Sequence, residues 1–299
     1  MTTSLNEIQQ LYHKYRLLVF AMLMLLVAAL AMAFVNRPLV FPVLALAVAF
    51  HLLFLRPCQK RYTTSVTRAS LRQTVCRFLG TKEPAETGGR LLTAQLMEDA
   101  GLMPCGDDQS QPLLCWEIHG QKKDMTLTLC DATIPQSFRL TKKGKKRVHF
   151  NAGVWIHVDL PGDTGLHYKV IDETAVPTPI RMDYFAQKWS YETGSLGDPE
   201  LAKRMVLYRP KDTLQQPSPA LLEKLSGLVE YTPGYVALGV NGSHMDVFIR
   251  GRFLARPVSV SVKPSQALLD FDPLPELSYV LDLAKILVHG CINPEVNSA

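Results

Sequence analysis

Three side chains in this sequence, His157, Asp159 and His167, have the types and spacing for metal chemistry. Two imidazoles and a carboxylate form a donor set that zinc or another first-row transition metal accepts. Residues 157 and 159 are two apart, so a strand presents both on one face. If the chain returned after Pro161–Gly165 with Leu160 paired to Leu166, Asp159 would lie opposite His167 and diagonal to His157. The same pairing would set Lys169 opposite His157, which works against a bound cation. Polar cross-strand pairing is therefore the weightier reading of the trio. His149 cannot join, since eight strand residues carry it ~26 Å from His157.

A second chemistry-bearing stretch is Thr141–Arg147, where Lys142, Lys143, Lys145, Lys146 and Arg147 surround one glycine. Such a cluster attracts anionic lipid headgroups, each cation contributing ~1 kcal/mol near a charged surface. Nucleic acid is disfavoured, because no aromatic residue sits beside the run to stack on bases and the net charge is only +5. A solvated loop between strands is the plainer reading. Asp270-Phe271-Asp272 has the form of a metal-carboxylate motif, but it is short, and Pro273 and Pro275 after it suggest a loop leading into a helix. The chain has no nucleophile elbow, zincin helix, dinucleotide fingerprint or phosphate loop. The sequence thus names no catalytic residue and no cofactor, and it favours a non-catalytic protein.

These residues need elements to hold them. Arg147–Leu160 alternates, with Phe150, Ala152, Val154, Ile156, Val158 and Leu160 on one side and the polar set on the other. Leu113–His119 and Met125–Cys130 read as a hairpin, Leu166–Ile171 as a returning strand and Val206–Arg209 as a short one. Tyr235–Val240 and Ser243–Phe253 flank Asn241-Gly242, a strong hairpin signal. With those two residues as the turn, Val236 faces Val247 and Leu238 faces Met245. Helices are expected over Arg90–Ala100, from Ser218 as N-cap to Tyr231, and from Pro275 to His289. Hairpins, helices and no βαβ rhythm give an α+β class with antiparallel hairpins and a C-terminal helix.

The N-terminal fifth differs in kind. Leu17–Val35 is an unbroken apolar run that as a helix spans ~28 Å, close to a bilayer's hydrocarbon core. Leu39–Leu55 is a second, ~26 Å long, with Pro42 in its first turn and His51 near its end. Three residues separate the runs, so they form a transmembrane helical hairpin (17–55), with Ala29, Ala33, Ala45 and Ala49 spaced for close approach. Lys14 and Arg16 precede it, and Arg56, Lys60, Arg61, Arg68 and Arg72 follow. By the positive-inside rule both termini are cytoplasmic, and the chain is a multi-pass protein of the inner or plasma membrane. Residues 1–16 are a cytoplasmic segment, 56–89 an amphipathic connector helix and linker, and 90–299 a cytoplasmic α+β domain. Arg61, Arg68 and Arg72 of the connector are further candidates for lipid contact. The six cysteines show no C-x-x-C spacing and read as reduced thiols.

Two spans and an amphipathic helix are followed by LLTAQLMEDAGL, VHFNAGVWIHVDLP, MVLYRPKDTLQQPSPALLEKLSGL, GYVALGVNGSHMDVFIRGRF and PELSYVLDLAKILV. This order resembles the bacterial membrane family catalogued as domain of unknown function 3137, with Phe150–Trp155 and Val206–Leu228 similar to two of its segments. The resemblance implies a membrane-anchored cytoplasmic domain and transfers no activity. The sequence therefore points to a membrane-anchored interaction or regulatory module with a lipid bilayer and an unidentified protein as partners. The alternative is a membrane-associated metal-dependent enzyme using the His157, Asp159 and His167 face.

Overall fold

The computed structural model describes residues 5–35, 37–81, 85–87, 92–102, 112–139, 146–172, 190–211, 213–232, 234–255 and 259–292. Of 37, 85–87, 136–139, 146–150 and 290–292 it describes the backbone alone. The fold is α+β, with a long helix pair, an antiparallel sheet and a C-terminal helix. It divides into two units, residues to Thr74 with Ala255–Asp272, and Val75–Leu254 with the chain from Pro273.

In the first unit, helix α1 (Leu5–Val35) is followed by one 3-10 turn (Arg37–Leu39) and helix α2 (Val40–Leu79). Pro42 falls in the first turn of α2, where its missing N–H costs nothing. Both helices are long and apolar enough to cross a membrane, and only 6% and 11% of their most apolar stretches are buried in the protein. A soluble core helix would show the reverse. Ala29 and Ala47 are the buried small residues of the two apolar runs. The sequence singled out Ala45 and Ala49, but α2 turns both outward and presents Ala47 instead. Beyond the apolar runs Ile8 and Tyr12 pack with Tyr62 and Val66, the two tyrosine rings 5.7 Å apart. Leu269 of helix α5 (Gln266–Leu269) joins this cluster. The Tyr62 hydroxyl donates to the Val262 carbonyl at 2.9 Å and the Ser70 hydroxyl to that of Phe271 at 3.0 Å. Gln73 and Gln266 both donate to Asp270, so the first carboxylate of the D-x-D is spent on structure.

In the second unit, Gly80 ends α2 in the left-handed region. The segment expected to be only linker contains strand β1 (Ala85–Thr87), paired to β2. Helix α3 (Ala94–Ala100) follows, with Thr93 as N-cap and Gly101 as C-cap. The strands are β2 (Leu113–Lys122), β3 (Met125–Arg139), β4 (Lys146–Asp159), β5 (His167–Asp172), β6 (Tyr191–Gly194), β7 (Met205–Pro210), β8 (Val236–Asn241) and β9 (His244–Arg250). Helix α4 (Pro219–Tyr231) precedes β8, its Ser218 side chain capping Leu221 N as expected, and α6 (Leu277–Ile292) closes the described chain. The nine strands make one sheet in the order β1-β2-β3-β4-β9-β8-β5-β7-β6, every neighbouring pair antiparallel.

Two register expectations are corrected. β4 does not pair with β5; the β8–β9 hairpin lies between them. The Pro161–Gly165 turn straddles the tip of that hairpin, Leu160 N donating to Ser243 O and Gly242 N to Leu166 O. The hairpin itself turns at Gly242-Ser243, with Asn241 opposite His244, Leu238 opposite Val247 and Val240 opposite Met245. Gly242 has a φ of 60° at the first central position, the pattern of a II′ turn, and this displaces the turn by one residue. Since the pairing moves by two positions, the apolar face is the one the sequence indicates. Trp155, Phe248, Ile171 and Tyr208 form a core with Leu92, Met97 and Leu102 on one side of the sheet. On the other side α4 and α6 pack together, the Tyr231 and Tyr279 rings stacked 5.6 Å apart.

Candidate metal centre

β4 and β9 run antiparallel with His157 opposite Asp246 and Asp159 opposite His244. Since each strand alternates, all four side chains share the face that carries Trp155 and Phe248. His157 and Asp246 are buried, while Asp159 and His244 are half-exposed. Nδ1 of His157 lies 2.9 Å from Asp246 Oδ1, which also accepts the Trp155 indole N–H at 2.8 Å. Nε2 of His157 lies 3.3 Å from Asp159 Oδ1, and His244 Nδ1 lies 3.0 Å from the same oxygen. The two imidazoles stack with centroids 5.3 Å apart. The donor atoms of His157, Asp159 and His244 all fall within 4.8 Å of one another.

Metal–nitrogen and metal–oxygen bonds of about 2.0–2.2 Å place the ligand atoms of one ion some 3 to 3.5 Å apart. The trio is near that spacing, and its two half-exposed members need only small rotations to reach it. Asp246 supplies what a ligating histidine usually has, a carboxylate that takes the other ring N–H and fixes tautomer and ring plane. Two carboxylates beside two imidazoles also make the face attractive to a cation. With no ion, burial pulls His157 toward its neutral form. The hydrogen bonds and charges of Asp246 and Asp159 outweigh that pull and raise its pKa above the ordinary imidazole value.

The structure therefore brings together His157 and Asp159 but not His167. His167 sits on β5, two strands beyond β9, and its Nδ1 is 2.7 Å from Asn241 Oδ1. His244 takes the place expected of it. Lys169, expected opposite His157, instead donates to Gly101 O at 3.3 Å and lies over the Tyr191 ring. The missed pair, His244 and Asp246, carried a readable signal. Met245, Val247 and Ile249 are the apolar face of β9, so residues 244 and 246 had to share the opposite one with residues 157 and 159. What the sequence lacked was the strand order.

The lipid-contact candidates divide. Lys142, Lys143 and Lys145 lie outside the described residues, and Lys146 and Arg147 begin β4, paired to Arg139 and Phe138. Arg61 is exposed, as are Lys14, Arg16, Arg56 and Lys60, whereas Arg68 and Arg72 are half-buried and engaged within the protein. Of the cysteines, Cys58, Cys76, Cys115 and Cys130 are free thiols.

Neither a protein-family model nor a curated protein nor a solved structure matches this chain.

Proposed function

We propose that this chain is a two-span membrane protein whose α+β domain faces the cytoplasm and binds a divalent transition-metal ion through His157, Asp159 and His244. The observation that carries the reading is the convergence of these three donors with Asp246 behind His157. Three protein ligands leave coordination positions for water or a substrate, the arrangement of open two-histidine, one-carboxylate sites. Such an ion would supply a Lewis acid or an activated water at the membrane face. The reading keeps a metal-dependent enzyme in view and exchanges His167 for His244.

Metal analysis of the detergent-purified chain after loading with zinc tests it. One equivalent is expected, falling to background in His157→Ala and His244→Ala and persisting in His167→Ala. Equal retention in the first two variants sinks the proposal.

The anchoring rests on the apolar surfaces of α1 and α2 and on the exposed cations Lys14, Arg16, Arg56, Lys60 and Arg61 that flank the two apolar runs on one side. In intact cells, protease added outside should leave the domain whole, and after lysis the chain should sediment with membranes. A second reading, an interaction module for an unidentified protein or anionic headgroups, is favoured by those same exposed cations. It predicts that their reversal abolishes function while His157→Ala does not.

A further inference from the structure

Tyr168 faces the opposite side of β5 from His167 and Lys169, and there it lines a cleft of about 1080 Å3. The walls are the Thr164–Leu166 turn, the Leu196–Pro199 loop, the strap 214–217, α4, and Ile286 and Leu287 of α6. Four features give the cleft the character of a binding site. The Tyr168 hydroxyl is fully buried and has no hydrogen-bond partner. Leaving such a group unsatisfied costs about 1–3 kcal/mol, which a ligand atom at hydrogen-bond distance would recover. Leu214, on the lining, is 89% exposed, an apolar side chain held in water beside the opening. The charged residues of the lining are Asp198, Glu223 and Glu230, with no lysine or arginine among them. Finally, the rim is pinned. Gln215 accepts from His167 N at 2.7 Å and donates to Gly165 O at 3.0 Å, tying the strap to the start of β5.

A preformed recess with mixed walls and a few convergent polar groups is the usual form of a small-molecule site. Here the polar groups differ in kind. Asp198 is occupied in capping the Glu200 and Leu201 amides, which leaves Glu223 and Glu230, about two turns apart on one face of α4, as exposed anions at the edge. Tyr168 is an uncharged hydroxyl in the interior, since burial holds its proton far above the usual phenol range.

We propose that this cleft binds a small amino alcohol or similar organic cation, its ammonium at the acidic edge formed by Glu223 and Glu230, its apolar body along α4 and α6, and an uncharged oxygen on the Tyr168 hydroxyl. The site is independent of the metal centre, which lies on the other face of the sheet.

Calorimetric titration of the full detergent-solubilised chain with 6-aminohexan-1-ol, hexylamine and 6-hydroxyhexanoate tests the proposal. The amino alcohol is expected to bind saturably and about tenfold more tightly than the hydroxy acid, a difference of ~1.4 kcal/mol. Tyr168→Phe, checked for an unchanged melting temperature, should weaken the amino alcohol about fivefold or more and leave hexylamine unaffected. Should that variant fold poorly, the surface pair Glu223→Gln and Glu230→Gln decides alone, by removing the preference for the amine over the acid. Absence of saturable binding, equal binding of the hydroxy acid, or no change in the variants would overturn it.

Discussion

An imidazole that gives a metal one nitrogen keeps its proton on the other, and at His157 the acceptor that fixes that proton and the ring is Asp246. The Trp155 indole locks the carboxylate in turn, so the ring plane of His157 is set before any ion arrives. Asp246→Asn keeps the shape and loses the charge. It should weaken zinc binding about 10–100-fold, read by competition with a chromophoric chelator. The metal-free protein should also carry a pH signature. The folded pKa of His157 is raised, so its contribution to stability is complete below the unfolded value near 6.5 and is lost as pH rises through the folded one. Denaturant unfolding with chelator present should show stability declining across that window, and His157→Gln should flatten the decline; an unchanged slope would refute the assignment. Cys130 gives a contrast within the same sheet. Burial foremost, then the nearby Asp131 and Glu117 charges, push its thiol upward, so alkylating reagents should leave it unmodified until the domain unfolds.

Elements explain which parts of this protein could be read from its residues. α4 was legible from Ser218-Pro219, because a capping hydroxyl followed by proline fixes a helix start locally, and Ser218→Ala should cost about 1 kcal/mol in equilibrium unfolding. β4 was legible from strict alternation, and the apolar faces of β8 and β9 likewise. The candidate site was half legible. His157 and Asp159 sit on one strand, where spacing alone decides, but their third partner depends on which strand lies alongside. That is a long-range choice settled by the β8–β9 hairpin entering between β4 and β5. The one-residue shift of its turn was equally invisible, because Asn241-Gly242 and Gly242-Ser243 both supply a glycine for the tight position. Gly239 on β8 makes room for buried Leu102: a side chain there would run into a Leu102 methyl. Gly239→Val should therefore destabilise the domain by some 1–3 kcal/mol, measurable as a lower melting temperature.

At the scale of the whole molecule, the helices expose most of their apolar surface while the sheet domain buries its own. Ala47→Leu should perturb α1 and α2 through overpacking by about 1–3 kcal/mol, lowering their melting in detergent while the zinc stoichiometry of the sheet stays intact. Loss of both together would mean that the two units do not melt separately. The first unit is built from two stretches far apart in the chain, its helices and the segment Ala255–Asp272, which covers Tyr62 and Ser70. Synthesis runs from the N-terminus, and hydrophobic spans enter a bilayer as they emerge. The helices would thus be embedded long before the ribosome delivers Leu269 to the cluster of Ile8, Tyr12 and Tyr62. A polypeptide cut short after residue 254 would keep both apolar helices yet leave the cluster of Ile8, Tyr12 and Tyr62 without its Leu269 cover.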